Sequence, residues 1–209
     1  MCGICGVIGG HKELAEPRVR KMMGAMVRRG PDDEGLLVSP RAVLGMRRLS
    51  IIDLEGGRQP AYNEDGTVSV VFNGEIYNFP ELRASLEDHG HHFRTRSDTE
   101  VIVHAYEEWG EGCLQHLRGM FAFALWDGRG GQAPGRVLLA RDRLGIKPLY
   151  YAFADRTLLF ASEVRALLAS GAIARRLAPE SVEAYLFFGS VVEPMTLVQG
   201  VFSLPPGHA

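Results

Sequence analysis

Short strand-like runs that follow one another with only turns between them constrain this chain more than any other feature. Leu36–Ser39, Ala42–Met46 and Leu49–Asp53 succeed each other directly, followed by a Gly56-Gly57 turn and Val68–Phe72. Met120–Trp126, Val137–Arg141, Leu149–Phe153 and Leu158–Ala161 form a second series, and Ile4–Gly9 is a short apolar run at the start. Strands joined by tight turns pair antiparallel, because a parallel pair needs a long crossover. Helical patterns at Pro17–Val27, Glu81–Asp88, Glu163–Ala169 and Pro179–Phe187 supply covering layers. The pattern predicts an α+β domain of mostly antiparallel sheets covered by helices, not a parallel βαβ fold. No Gly-x-Gly-x-x-Gly or Walker loop is present to cradle phosphate, and no internal repeat is found.

Local signals sharpen parts of this outline. Pro17 stands where a helix starts, with Val19, Met22, Met23 and Met26 on one face. Asn73-Gly74 is ordinarily a hairpin signal, but here Pro80 soon opens a helix. Ser97-Asp98-Thr99-Glu100 has the form of a capping box, with Ser97 as N-cap and Glu100 reaching back. Gly128–Gly135 reads as a mobile Gly/Pro-rich loop. The tail 191–209 has three prolines and little periodicity, so it reads as the start of a linker after a domain spanning 1–190.

Composition narrows function mainly by exclusion. A formal net charge of −2 over 209 residues gives no electrostatic case for nucleic acid or an acidic membrane. No apolar run approaches the length of a membrane span, no signal peptide is visible, and the chain reads as cytosolic. Three cysteines, an odd number, argue against a disulfide scaffold, and Cys5 in its apolar run reads as a buried structural thiol. Seven scattered histidines show no metal-ligand spacing, so no metal site is expected.

The first residues carry the chemistry. Removal of Met1 from Met1-Cys2-Gly3 would leave Cys2 with a thiol and a free α-amino group on one residue. A free thiol, with a pKa of about 8.5, is mostly protonated at neutral pH. An α-amino group, with a pKa of roughly 7.7–8.0, can take that proton, so nucleophile and base would share a residue. Three further segments accompany it: Arg47-Arg48-Leu49-Ser50-Ile51-Ile52-Asp53, Asn73-Gly74-Glu75-Ile76-Tyr77-Asn78 and Ser97-Asp98-Thr99-Glu100. With these the sequence resembles the N-terminal glutaminase domain of class II glutamine amidotransferases, which are N-terminal-nucleophile hydrolases, and within them glutamine-dependent asparagine synthetase. Arg29-Gly30-Pro31-Asp32, Arg141-Asp142-Arg143-Leu144-Gly145 and Phe160-Ala161-Ser162-Glu163 match that family too, in order, so the resemblance covers nearly the whole chain.

The resemblance implies a four-layer α/β/β/α sandwich of two mostly antiparallel sheets. It implies Cys2 as nucleophile, and Asn73 with the backbone N–H of Gly74 as the oxyanion hole. It implies Arg48 on the substrate α-carboxylate, Asp98 and Glu75 on the α-ammonium, and the backbone carbonyls of Ile51 and Ile52 as pocket lining. Arg141–Tyr151 is expected to serve packing or domain contact. Arg28 and Met46 stand where the family usually has histidine. Implied partners are glutamine and a C-terminal synthetase domain, a homodimer is compatible, and neither nucleic acid nor membrane is expected. No cofactor is expected for this domain. ATP and Mg²⁺ belong to the synthetase domain, of whose pyrophosphate loop nothing is found here. Two other readings stand beside this one: a glutaminase serving another acceptor, and a glutamine-binding module that does not turn its ligand over.

Overall fold

The structure is a computed structural model and describes residues 1–54, 56–130 and 135–209. The centre of the expected mobile loop, 131–134, lies outside the described residues. Two sheets face each other. The first has six strands in the order β10-β8-β9-β1-β3-β2, and the second four in the order β4-β5-β6-β7. In the first, β1 is Gly3–Ile8, β2 Asp33–Val38, β3 Ala42–Arg48, β8 Tyr150–Ala154, β9 Thr157–Ala161 and β10 Val201–Ser203. In the second, β4 is Ala61–Tyr62, β5 Val68–Ile76, β6 Gly119–Asp127 and β7 Arg136–Arg141. Every pairing among the described residues is antiparallel.

Three cores fill three interfaces, and period-2 alternation assigns residues to them. On β1, Cys5 and Val7 face helices α1 (Lys12–Ala25) and α5 (Val164–Ala169), packing with Val19, Met22 and Leu167. Ile4 faces inward and meets Leu44 and Met46 of β3, Val71 of β5, and Phe160. On β5, Val70 and Phe72 face helices α2 (Phe79–Asp88) and α3 (Glu100–Trp109), against Leu86 and Ile102. Layers therefore run helix, sheet, sheet, helix, giving the four-layer α/β/β/α sandwich. Each fully buried Ile, Leu or Phe contributes on the order of 1.5–3 kcal/mol. The short helix α4 (Cys113–His116) adds Cys113 and Leu114 to the core under α2 and α3, whereas α6 (Pro179–Phe188) buries only Ser181.

Several local expectations need correction. Helix α1 begins at Lys12, so Pro17 lies inside it, and Ala15 extends the buried face toward the N-terminus. Leu49–Asp53 is not a strand, because the Arg48 side chain draws the carbonyls of residues 52–54 around itself. Asn73-Gly74 is not a turn but continues β5, since β6 pairs with it throughout. The capping box does not form: α3 starts at Glu100, whose carboxylate accepts the N–H groups of Arg94 and Thr95 instead of Ser97's. Within 191–209, β10 pairs with β8, and Leu204 N–H donates to Leu149 O at 2.8 Å. That stretch has only three strand residues, too few for alternation to register.

Candidate active site

The same alternation that fills the inter-sheet core also builds a pocket at one open end of it. Cys2 shares the parity of Ile4, Arg48 that of Leu44 and Met46, and Asn73 that of Val71, so all three turn toward the space between the sheets. The loop before helix α3 then brings Asp98 to the edge of the second sheet, where its carboxylate takes the Ile76 N–H. The resulting cavity encloses about 90 Å³, room for a small polar molecule. All eight residues predicted for the site line it: Cys2, Arg48, Ile51, Ile52, Asn73, Gly74, Glu75 and Asp98.

Cys2 is half-buried, and its Sγ lies 3.7 Å from Leu49 O. The other two thiols are shut away: burial pushes Cys5 far up and Cys113 up to about 12. Two motifs without an assigned duty meet at the terminus. Arg29 donates through Nε to Cys2 O at 2.9 Å, and its Nη1 lies 3.5 Å from Glu163 Oε1. Arg29-Gly30-Pro31-Asp32 and Phe160-Ala161-Ser162-Glu163 thus anchor the Cys2 backbone. Ser162 also brackets Ile4, taking its N–H on Oγ at 3.0 Å and donating its own N–H to Ile4 O at 2.8 Å. The Met1 α-amino group is held below its ordinary value of 8.0, first by burial and then by the charges of Arg29 and Lys147, with Cys2 and Asp32 opposing.

Facing Cys2 is one edge of β5. Phe121, opposite Gly74, exchanges its N–H and C=O with Asp142 on its other side, so Gly74's N–H points away from β6. Phe72 and Ile76 share that parity, and their N–H groups are held by Gln59 Oε1 at 2.7 Å and Asp98 Oδ2 at 2.9 Å. The N–H of Gly74 sits between them on the same edge. A side chain at position 74 would place its Cβ 2.3 Å from Met120 O, so only glycine permits this approach. Next to it, Asn73 is 1% exposed and its Nδ2 has no hydrogen-bond partner among the described residues. Buried amide donors are rarely left so. Two donors therefore look into the pocket without an acceptor.

Charge is distributed across the remaining walls. Arg48, 4% exposed, donates to the carbonyls of Ile52 (3.1 Å), Asp53 (2.7 Å) and Leu54 (3.2 Å). Three of its five N–H donors are thereby committed, and two remain for a ligand. Gly57 leaves room for the guanidinium, since a Cβ there would stand 2.7 Å from Nη2. Ile52's carbonyl thus serves Arg48, while the Ile51 side chain is largely exposed at the rim. Across the pocket, burial pushes the Asp98 carboxyl above its ordinary value of 3.8, with Glu75's charge adding to this and the Ile76 N–H opposing.

Nine further residues line the pocket, and three of them, Gln59, Thr99 and Lys147, bear on its order or charge without having been predicted from sequence. Gln59 orders the β5 edge and bonds Thr99 Oγ1 at 3.4 Å. Lys147 belongs to the segment expected only to pack. Asp142 takes four backbone N–H groups, from Phe121, Leu144, Ile146 and Lys147, and the turn so tied carries the buried Lys147 to the pocket. A buried carboxylate able to fold such a turn was the available signal. Neither departure from the family pattern reaches the pocket: Arg28 is exposed, and Met46 is buried between the sheets. No helix among the described residues is long and apolar enough to cross a membrane.

Comparison with known proteins agrees with this geometry. Asparagine synthetase [glutamine-hydrolyzing] 3 of Bacillus subtilis (strain 168) is 38% identical over 215 residues, covering 100% of this chain and 34% of that protein. Asparagine synthetase [glutamine-hydrolyzing] 2 of the same organism is 47% identical over 175 residues, covering 80% of this chain and 22% of its own length. The chain thus spans a fifth to a third of these relatives. Among solved structures, "Structure of the allosteric regulatory enzyme of purine biosynthesis" superposes with a TM-score of 0.67 at 22% identity, covering 82% of this chain and 44% of that one. The glutamine phosphoribosylpyrophosphate amidotransferase of B. subtilis gives 0.64 at 20% identity, with the same coverage. These two establish the fold. A family profile described as "Glutamine amidotransferase domain" matches residues 1–209, and the chain belongs to that family.

Proposed function

We propose that this chain hydrolyses the side-chain amide of glutamine to glutamate and ammonia, with Cys2 as nucleophile once Met1 has been removed. The observation that carries the reading is Asn73 Nδ2, buried without a partner among the described residues, beside the Gly74 N–H that turns away from β6, in the pocket lined by Cys2. The Cys2 thiol gives its proton to its own α-amino group and attacks the amide carbon. Charge building on the amide oxygen is taken up by those two donors, which need no reorganisation because nothing else occupies them. Collapse of the tetrahedral intermediate passes the proton to the departing ammonia. Water then hydrolyses the thioester by the same route. The Met1 amine is held below its ordinary value, chiefly by burial, and the Cys2 amine freed by removing Met1 would lie near the same Arg29 and Lys147 charges, which supports the base role.

Arg48 and Asp98, both buried, hold the two ends of the substrate zwitterion, the guanidinium fork suiting a carboxylate better than an ammonium would. Glu75 adds negative charge at the ammonium end, and Ile51 and Ile52 close the rim. The ammonia is supplied to an ATP-dependent synthetase region outside this chain, for asparagine formation from aspartate. The names of the relatives support that acceptor over others. ATP and Mg²⁺ act there, and the domain itself works without a cofactor. The boundary between the domain and that region belongs to this proposal and falls after β10, because Val201–Ser203 pairs with β8 in the first sheet.

Glutamate release from glutamine by processed protein, Cys2→Ala and a form with Met1 retained tests the mechanism. Processed protein is expected to be active, and both others nearly inactive. A Met1-retaining form that matched the processed rate would remove the terminal amine as base. A processed protein that bound glutamine without releasing glutamate would support the binding module.

A further inference from the structure

On the far side of α3 from the pocket, four side chains from three segments converge. They are Glu64 in the β4–β5 turn, His91 after α2, and His104 and Glu107 on α3. His104 and Glu107 are three residues apart, so they share a helix face. One donor atom from each lies within 4.8 Å of all the others. His104 Nδ1 is 3.1 Å from Glu107 Oε2 and 3.9 Å from Glu64 Oε2, while His91 Nδ1 is 3.8 Å from Glu107 Oε2. We propose that Glu64, His91, His104 and Glu107 form a binding site for a divalent transition metal of the zinc type.

The geometry is close to what such an ion requires. Bonds of about 2.0–2.1 Å from nitrogen and oxygen in a tetrahedron put ligand atoms roughly 3.3 Å apart. The measured separations need only small rotamer adjustments to reach this. Two imidazoles with two carboxylates suit zinc and its neighbours, whereas magnesium and calcium take oxygen ligands.

A second observation is independent of the cluster itself: the far oxygens of both glutamates are already hydrogen-bonded, and the far nitrogens of both histidines face carboxylates. Asn63 Nδ2 donates to Glu107 Oε1 at 2.7 Å, leaving Oε2 toward the centre. The His92 N–H donates to Glu64 Oε1 at 3.0 Å, again leaving Oε2 free. His91 Nε2 lies 3.5 Å from Glu108 Oε2. His104 is 1% exposed, and its Nε2, otherwise without a partner, faces the buried Glu100 carboxylate at 3.7 Å. Nδ1 lies 3.1 Å from Glu107 Oε2, and a proton on Nε2 would free its lone pair for an ion taking the place of that contact. Outer partners of this kind set tautomer and orientation in metal sites. Phe93 fixes the His104 ring edgewise, with centroids 4.6 Å apart.

Charge balance points the same way. Four carboxylates (Glu64, Glu100, Glu107 and Glu108) surround two imidazoles, and none forms an ion pair with an arginine or lysine among the described residues. A divalent cation offsets the excess. Spacing alone could not reveal the site, because only His104 and Glu107 are close in sequence. Glu100 connects it to the pocket: the same carboxylate takes the Arg94 and Thr95 N–H groups of the loop that delivers Asp98.

The test is titration of Zn²⁺ into the Cys2→Ala chain, which removes the competing accessible thiol, against a chromophoric chelator. One Zn²⁺ per chain is expected. His91→Ala or Glu107→Gln should lower the affinity at least a hundredfold, and Glu100→Gln by roughly 10–100-fold through the outer shell. Co²⁺ in place of Zn²⁺ should give tetrahedral visible bands without thiolate charge transfer. Glu64→Gln, at an exposed side chain, keeps the test valid if a variant at the buried His104 fails to fold. Absence of stoichiometric binding, or binding indifferent to His91→Ala and Glu107→Gln, would overturn the site and leave an ion-pair network.

Discussion

Replacing Asn73 by alanine should separate stability from catalysis. In the free protein, Asn73 Nδ2 is buried and unpaired, a state that costs about 1–3 kcal/mol of desolvation with no compensating bond. Asn73→Ala removes that cost. The amide it deletes faces an open pocket, so no closed cavity with its own penalty forms. The variant should therefore be as stable as the parent, or more stable by up to about 2 kcal/mol in chemical denaturation. Catalysis should move the other way. Loss of one oxyanion donor typically costs on the order of 10²–10³ in kcat, about 2.7–4 kcal/mol. Because the donor acts where charge develops, KM should change little. Coupled detection of glutamate gives both constants. Destabilisation by more than about 1 kcal/mol would mean that the amide has a structural partner. Retention of more than a tenth of kcat would mean that Asn73 does not stabilise the oxyanion.

Arg48→Ala should raise KM for glutamine with less effect on kcat, lowering kcat/KM roughly ten- to hundredfold for a lost charged hydrogen bond. Arg48→Lys should not restore it, because one ammonium cannot hold the carbonyls of residues 52–54 and a carboxylate together. Gly57→Ala should copy part of the Arg48 defect by pressing a Cβ onto Nη2, read as a raised KM. For Asp98, burial raises the folded pKa above 3.8, so acidification protonates it earlier than an ordinary aspartate. KM should rise below that raised value, and Asp98→Asn should flatten this limb. The sign for stability is opposite to that of a salt-bridged carboxylate: the folded state holds the proton more tightly, so this group's contribution declines as pH rises through the same window. Asp98→Asn should abolish that decline in a pH series of denaturation curves.

Most of the sheet framework was legible because burial on one face writes period-2 alternation directly into the sequence. Ile4, Leu44 and Val71 mark the inter-sheet face, and Cys2 and Asn73 fall on it by simple parity. What failed to show were features made by side chains folding the backbone. Arg48 converts an apolar run into a loop, Asp142 ties the turn that delivers Lys147, and Glu100 caps a neighbouring loop rather than its own helix. Hydropathy does not encode such contacts. Asn73-Gly74 misleads as a turn for a related reason, since its small glycine serves close approach to Met120 rather than reversal of the chain.

The central place of β1 has a consequence in time. Among the described strands β1 leaves the ribosome before the others, yet it is flanked by β3 and by β9, with Cys5 opposite Gly45 on one side and Ala161 on the other. Contacts of such sequence separation form late, and loop closure must precede them. At about 5–20 residues per second, β9 follows β1 out of the ribosome by roughly 8–30 s. Through that interval the first residues stay unpaired on at least one side, open to an aminopeptidase. Closure of the ladder then draws Cys2 toward the pocket and ends the interval. Exposure of the Cys2 amine is thus a race between a protease and the arrival of one strand, so slowing translation ahead of residue 157 should raise the processed fraction without altering a single contact in the folded protein.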